Sequence, residues 1–317
     1  MIKKICCVIF LTVGILFGLC FLSTIPAFNP IINMLTNSVN YDGMGKMETF
    51  FLWEKVKQPS NARKVIFGDS VANQLYEYRE NNEYRVVTGN MSMTLIWQYI
   101  FVRDYLEMNP QTTDVYLCFT SDIFEHSFET GMSYNYMLIP LAQYNQMDVL
   151  EEKQTELLKD MFGTFFINPK VACFIGNSGL NTKLYLNAVK KFYEWFPGRK
   201  DIVEKTQNPD FELAETYLLK IKELCEEKDV KLHMLPNPQK DTPENRMYLE
   251  KMKEKYRNSS LHQMNPDFFE QIVFYPEECF KDELHFTDEY LEEDGKVVII
   301  KEIQKATGKL AGLIKED

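Results

Sequence analysis

The stretch Lys64-Val-Ile-Phe-Gly-Asp-Ser70 decides how the chain is to be read. Val65-Ile-Phe67 is too short for a buried helix and suits a short strand, two of its three residues being β-branched. Gly68-Asp69 breaks the run, and helical spacing resumes from Ser70 to about Glu80. The same alternation recurs outward from it. Arg85-Val-Val-Thr88 is a second short strand ending at Gly89. Met93 to Met108 is helical, with Leu95, Tyr99, Val102 and Leu106 on one face, and Asn109-Pro110 stops it. Asp114-Val-Tyr-Leu-Cys-Phe119 is a third strand. Phe211 to Glu227 then reads as an amphipathic helix, Val230 to Leu235 as a strand closed by Pro236-Asn237-Pro238, and Thr242 to Tyr256 as a helix. Short apolar strands alternating with helices predict an α/β fold with a mostly parallel sheet covered on both faces.

Two regions depart from the alternation. Residues from about 124 to 205 are rich in Tyr, Phe, Met and Asn and contain no clear strand run, so they read as a helical insertion over one end of the sheet. At the other extreme, Ile5 to Leu22 holds eighteen residues without a charge. At about 1.5 Å per residue such a run is long enough to cross a bilayer as a helix. Lys3 and Lys4 precede it, which keeps the N-terminus cytoplasmic and places the rest outside the cytoplasm. Ile25-Pro26-Ala27 is a poor signal-peptidase site, and Leu19 before Cys20 is a poor lipidation site, so an uncleaved transmembrane anchor is the favoured reading. The expected organisation is an anchor at 1–27, a juxtamembrane connector with a short helix at 28–60, and an α/β domain over 61–317.

Composition narrows the function. At 45% apolar and 26% charged residues in 317, the chain is neither disordered nor a coiled coil. Its net charge is −11, and removing Lys3 and Lys4 leaves 33 basic against 46 acidic residues, or −13. That balance argues against nucleic acid as a partner, because phosphates need a basic face. Cys118, Cys173, Cys225 and Cys279 are scattered, without the paired Cys/His spacing of a zinc site, and read as buried free thiols. No metal or diffusible cofactor is implied.

In an open parallel sheet, reactive groups gather at the carboxyl ends of the strands. Ser70 sits at such an end and opens a helix, whose unpaired N–H groups and dipole favour an oxyanion; its default role would be that of an ordinary helix cap. A serine nucleophile needs a base, usually histidine. Of four histidines, His126, His233 and His262 suit structural or surface roles, whereas His285 stands three residues after Asp282, whose carboxylate could orient the imidazole. Asp69 is expected to shape the turn. Thr287 is expected to cap a final helix from about Asp288 to Ile303.

Val65-Ile-Phe-Gly-Asp-Ser70 together with Asp282-Glu-Leu-His285-Phe-Thr resembles the SGNH/GDSL hydrolase superfamily, with the order and strand context extending over about 64–303. The resemblance implies a flavodoxin-like three-layer sandwich of the SGNH type, with Ser70 as nucleophile, His285 as base and Asp282 as its orienter. It also implies an oxyanion hole from the Ser70 amide, from Gly89 with Asn90 as its neighbour, and from the position of Ser121, where the family has an asparagine. With an anchor, the chain looks like the envelope-modifying members of that superfamily, among them DltD-like proteins that work beside a membrane-bound O-acyltransferase. The expected activity is acyl-ester hydrolysis or O-acyl transfer on an acylated polysaccharide or envelope polymer. The departure at Ser121 motivates an alternative, a catalytically inactive envelope scaffold that binds a membrane partner; a phospholipase or thioesterase is a third, weaker reading.

Overall fold

The computed structural model describes residues 51–89, 94–125, 146–152, 154–155 and 211–314, together with Leu11, Gly14, Ile15, Gly18 and Leu141. The chain divides into two units, residues 1–46 with 128–208 and residues 47–127 with 209–317. In the first unit, Leu11, Gly14, Ile15, Gly18 and Leu141 are helical and Met147–Val149 forms a single 3₁₀ turn. The rest of the expected anchor at 1–27 and most of the expected helical insertion at about 124–205 lie outside the described residues, among which no helix is long and apolar enough to cross a membrane.

The second unit is the α/β body. Its strands are β1 (Lys64–Gly68), β2 (Tyr84–Thr88), β3 (Asp114–Phe119) and β4 (Lys231–Pro236). They form one sheet in the order β2-β1-β3-β4, every pair parallel. All four carboxyl ends therefore lie along one edge, and the order reverses between β1 and β3, the position where doubly wound sheets open a crevice. A second, two-stranded parallel pair joins β5 (Gln239–Lys240) to β6 (Phe274–Tyr275).

Side-chain alternation along the strands feeds two cores. Ile66, Val86, Tyr116, Cys118 and Leu235 face a core shared with α1 (Ser70–Tyr76) and α5 (Glu293–Thr307), through Val71, Leu75, Ile299, Ile300 and Ile303. Phe67 points the other way and meets Tyr105 of α2 (Leu95–Met108) edge-on at 5.8 Å. Tyr99 of α2 in turn meets Tyr217 of α3 (Glu212–Glu227). Helices thus cover both faces, as in a flavodoxin-like sandwich. Thr242 caps α4 (Pro243–Arg257), its hydroxyl accepting from Asn245 N.

Three elements differ from expectation. The helix from Ser70 ends at Tyr76 rather than near Glu80, because Arg79 N turns back to Tyr76 O ahead of β2. Helix α2 is buried almost all round instead of along one face. It is flanked by the sheet, by α3 and by the helical residues 51–56, whose Trp53 lies 6.5 Å from Trp97 and donates to Asp104. The last helix starts at Glu293, five residues later than Thr287-Asp288 suggests. Thr287 Oγ1 accepts instead from Tyr290 N, closing a separate turn whose Tyr290 ring stacks on Phe286. Cys118, Cys225 and Cys279 are free and buried, as expected; Cys173 lies outside the described residues.

Gly68 is the one glycine that the crossing of β1 and α1 demands. A Cβ there would stand 2.3 Å from Ala72 Cβ and 2.5 Å from Cys118 O. Gly68→Ala is expected to cost about 1–3 kcal/mol through forced backbone shifts, read as a lower thermal midpoint by circular dichroism; an unchanged midpoint would refute this close approach.

Candidate active site

The site is built from the edge where the strands end. Asp69 follows β1 and caps α1: its Oδ1 accepts from Val71 N and Ala72 N, each at 3.0 Å. The same oxygen accepts from Asn237 Nδ2 at 2.8 Å, just past β4. Oδ2 accepts from Thr120 N at 2.7 Å and Thr120 Oγ1 at 3.0 Å, just past β3. One carboxylate thus joins the ends of three strands and the start of a helix. Burial pushes its pKa up, and only in part do the bonds from Ala72 and Thr120 offset that.

This arrangement corrects two expectations about the serine. Ser70 does not cap its helix; Asp69 does, and Ser70 Oγ is left to other partners. The helix end also offers less to an oxyanion than the sequence suggested. Two of its N–H groups are occupied by Asp69, and α1 has only seven residues. The Ser70 N–H, at the first helical position, has no intrahelical acceptor.

His285 arrives on a hairpin after β6. Phe280 and Phe286 bridge as antiparallel partners, with Lys281 N donating to His285 O and Thr287 N to Cys279 O, each at 2.9 Å. Their rings stack at 4.5 Å, and Phe286 is fully buried in the core of α1 and α5. At the hairpin's tip Asp282 turns back on its own chain, its Oδ1 accepting from Leu284 N at 2.9 Å and His285 N at 2.7 Å. The His285 ring stands beside the same carboxylate, with Nδ1 at 2.9 Å from Oδ2 and 3.0 Å from Oδ1.

The other ring nitrogen, Nε2, lies 2.7 Å from Ser70 Oγ. Burial pushes the Asp282 carboxyl up, but the bonds from His285 N, Leu284 N and the ring outweigh it and hold it below the ordinary carboxylate value. Asp282 is therefore an anion, able only to accept, so the ring proton belongs on Nδ1. That leaves the Nε2 lone pair facing the serine hydroxyl, the order a general base requires. Ser70 is buried, whereas the His285 and Asp282 side chains are 27% and 52% exposed, so the dyad stands nearer solvent than the serine.

The remaining expected residues fall as follows. Gly89 is one residue beyond β2 and Ser121 two beyond β3, both at the same sheet edge as Ser70. Asn90 and His126 lie outside the described residues. His233 sits in β4, where Nε2 contacts Asp114 Oδ1 at 2.8 Å and the ring stacks on Tyr116. Asp114 begins β3, at the opposite edge of the sheet. His262 lies in a 3₁₀ turn and packs edge-on against Tyr256. Burial raises the thiol pKa of Cys118, Cys225 and Cys279, which keeps them protonated and poor nucleophiles. No group of three or more His, Cys, Asp or Glu side chains among the described residues could hold a metal.

Two supporting residues were not singled out from sequence. Asn237 lies between two prolines, and its position past an apolar strand was the available signal. Lys240, buried on β5, reaches Glu283 at 3.5 Å, next to Asp282.

Asp69→Asn would put an N–H₂ group where Thr120 N–H or the α1 amides need an acceptor. The expected loss is about 1–3 kcal/mol for a buried donor left unpaired, read by denaturant unfolding, with Ser70→Ala costing much less because Ser70 caps nothing. The reverse order would show that the capping geometry is misassigned. Asp282 supplies the pH dependence. Its folded pKa is depressed below 3.8, so its stabilisation is present above that value and lost as pH falls through the lower, folded one. In a series of melts from about pH 5 down to about pH 2, Asp282→Asn should flatten this part of the acid-induced drop, and an unaltered drop would contradict the assignment.

Compared with known proteins, the chain matches no protein-family profile, no curated protein and no solved structure.

Proposed function

We propose that the chain is a serine acyl-ester hydrolase or O-acyltransferase of the SGNH type, working outside the cytoplasm on acylated envelope glycans or polymers. The observation behind it is the unbroken line from Asp282 through His285 to Ser70, with Nε2 2.7 Å from Oγ across 215 residues of sequence. The α/β scaffold, the strand-end serine and the late Asp-x-x-His turn support the SGNH reading together.

The chemistry follows from the proton inventory. Ser70 Oγ attacks the acyl carbonyl carbon while its proton passes to Nε2 of His285. The imidazolium is stabilised by Asp282, which stays ionised. The tetrahedral oxyanion is met by the Ser70 amide and by groups at the ends of β2 and β3, the positions of Gly89, Asn90 and Ser121. Each such donor is worth about 10²–10³ in rate. Collapse returns the proton from Nε2 to the leaving alcohol oxygen and leaves an acyl-serine. A sugar hydroxyl or water then gives its proton to Nε2 of His285 as its oxygen attacks the acyl carbon, and collapse breaks the bond to Ser70 Oγ, which takes the proton back from Nε2. Hydrolysis and transfer share every step up to the acyl-serine and part only at the acceptor.

The membrane setting rests on the uncharged Ile5–Leu22 run behind Lys3-Lys4. An anchor would hold the site near a membrane-bound O-acyltransferase as acyl donor, a gain in effective concentration rather than in intrinsic reactivity. The excess of acidic residues disfavours strongly anionic polymers and favours neutral glycans as acceptors.

A fluorophosphonate probe tests the reading directly on the purified full chain. Labelling is expected on Ser70, absent in Ser70→Ala, slowed by about 10²–10⁴ in His285→Ala, and slowed less in Asp282→Asn. A folded wild-type chain that takes no label would favour the inactive scaffold.

A further inference from the structure

Gln74 lies one helical turn after Ser70 on α1, so the two side chains share a face. Its amide exchanges two hydrogen bonds with the backbone of Phe286, the residue immediately after His285. Phe286 N donates to Oε1 at 3.2 Å, and Nε2 donates to Phe286 O at 3.3 Å. The peptide's own N–H and C=O fix which way the amide faces.

The other supports of the His285 hairpin act within it or elsewhere. The Phe280–Phe286 bridge and the Asp282 turn set its internal shape. Lys240 ties it to β5, and the Phe286 ring is held by packing, which is not directional. Among the described residues, Gln74 supplies the only hydrogen bonds between α1 and this hairpin apart from the Ser70–His285 contact itself. With the peptide between His285 and Phe286 fixed, one backbone torsion of His285 and its two side-chain torsions remain to place the imidazole, and Asp282, which accepts from His285 N and contacts Nδ1, constrains those.

From this geometry we infer that Gln74 is a positioning residue for the base: its two-bond pairing with Phe286 sets the His285 hairpin at proton-transfer distance from the nucleophile carried one turn earlier on the same helix. The inference rests on the Ser70–His285 reading proposed above and adds to it the element that fixes their separation. Misplacement of a catalytic group by about 1 Å can cost about 10²-fold in rate.

The test is a double-mutant cycle on the full chain, read by the rate of fluorophosphonate labelling, with thermal midpoints recorded alongside. Gln74→Met keeps length and bulk but can make neither bond. It is expected to slow labelling by about ten- to a hundredfold in the wild-type background and by less than about twofold in the His285→Ala background, because Gln74 acts through the imidazole. Equal slowing in both backgrounds would make Gln74 merely structural and overturn the inference, as would an unaltered rate in Gln74→Met. If Gln74→Met does not fold, Gln74→Glu decides. It keeps the acceptor for Phe286 N and loses the donor to Phe286 O, so an intermediate rate supports the inference and a wild-type rate overturns it. Absence of label in the wild-type chain would instead remove the underlying hydrolase reading, and this inference with it.

Discussion

A buried carboxylate fixes the edge of the sheet where Ser70 stands. Asp69 accepts five hydrogen bonds, from Val71, Ala72, Thr120 twice and Asn237. Those donors come from a helix start and from the loops leaving β3 and β4, while Asp69 itself leaves β1. Burying a carboxyl is costly unless its lone pairs are satisfied, and here the satisfaction is what gathers three strand ends around one point. Gly68, next to it, lets α1 and the β3 backbone come close enough for the pattern to close. Ser70 inherits its position from this arrangement without taking part in it.

The opposite half of the site is organised by different forces. The hairpin bearing His285 is held by aromatic packing of Phe280, Phe286 and Tyr290 and by an Asp282 turn spanning only three residues. Polar satisfaction sets the Ser70 side and apolar burial sets the His285 side. The two sides meet through the Ser70–His285 contact and the Gln74 amide.

Much of the architecture could be read from residues. Asp114–Phe119 was legible to the residue because an apolar run bounded by polar turns has one reasonable register. Asp282 and His285 were legible because their pairing is local, and Ser70 because it follows a strand. What could not be read depended on contacts distant in sequence. Thr287 followed by two acids looks like a helix start, yet packing Tyr290 against Phe286 and Tyr275 outweighs that local signal and delays α5 to Glu293. The periodicity of α2 marked one face, but Trp53, Phe67 and Tyr217 meet it from several directions. Asp69 appeared as a turn former; that it, and not Ser70, caps the helix is visible only once Thr120 and Asn237 converge on it.

The spacing of Ser70 and His285 along the chain has an effect on timing. The seryl group is synthesised early, whereas its imidazole partner follows 215 residues later. On the proposed reading, until the hairpin docks against α1 the Ser70 hydroxyl lacks its base and is an ordinary alcohol. On that reading a nascent or partly opened polypeptide would have no reactivity to misdirect, since competence would arise only once residue 285 has been brought to residue 70.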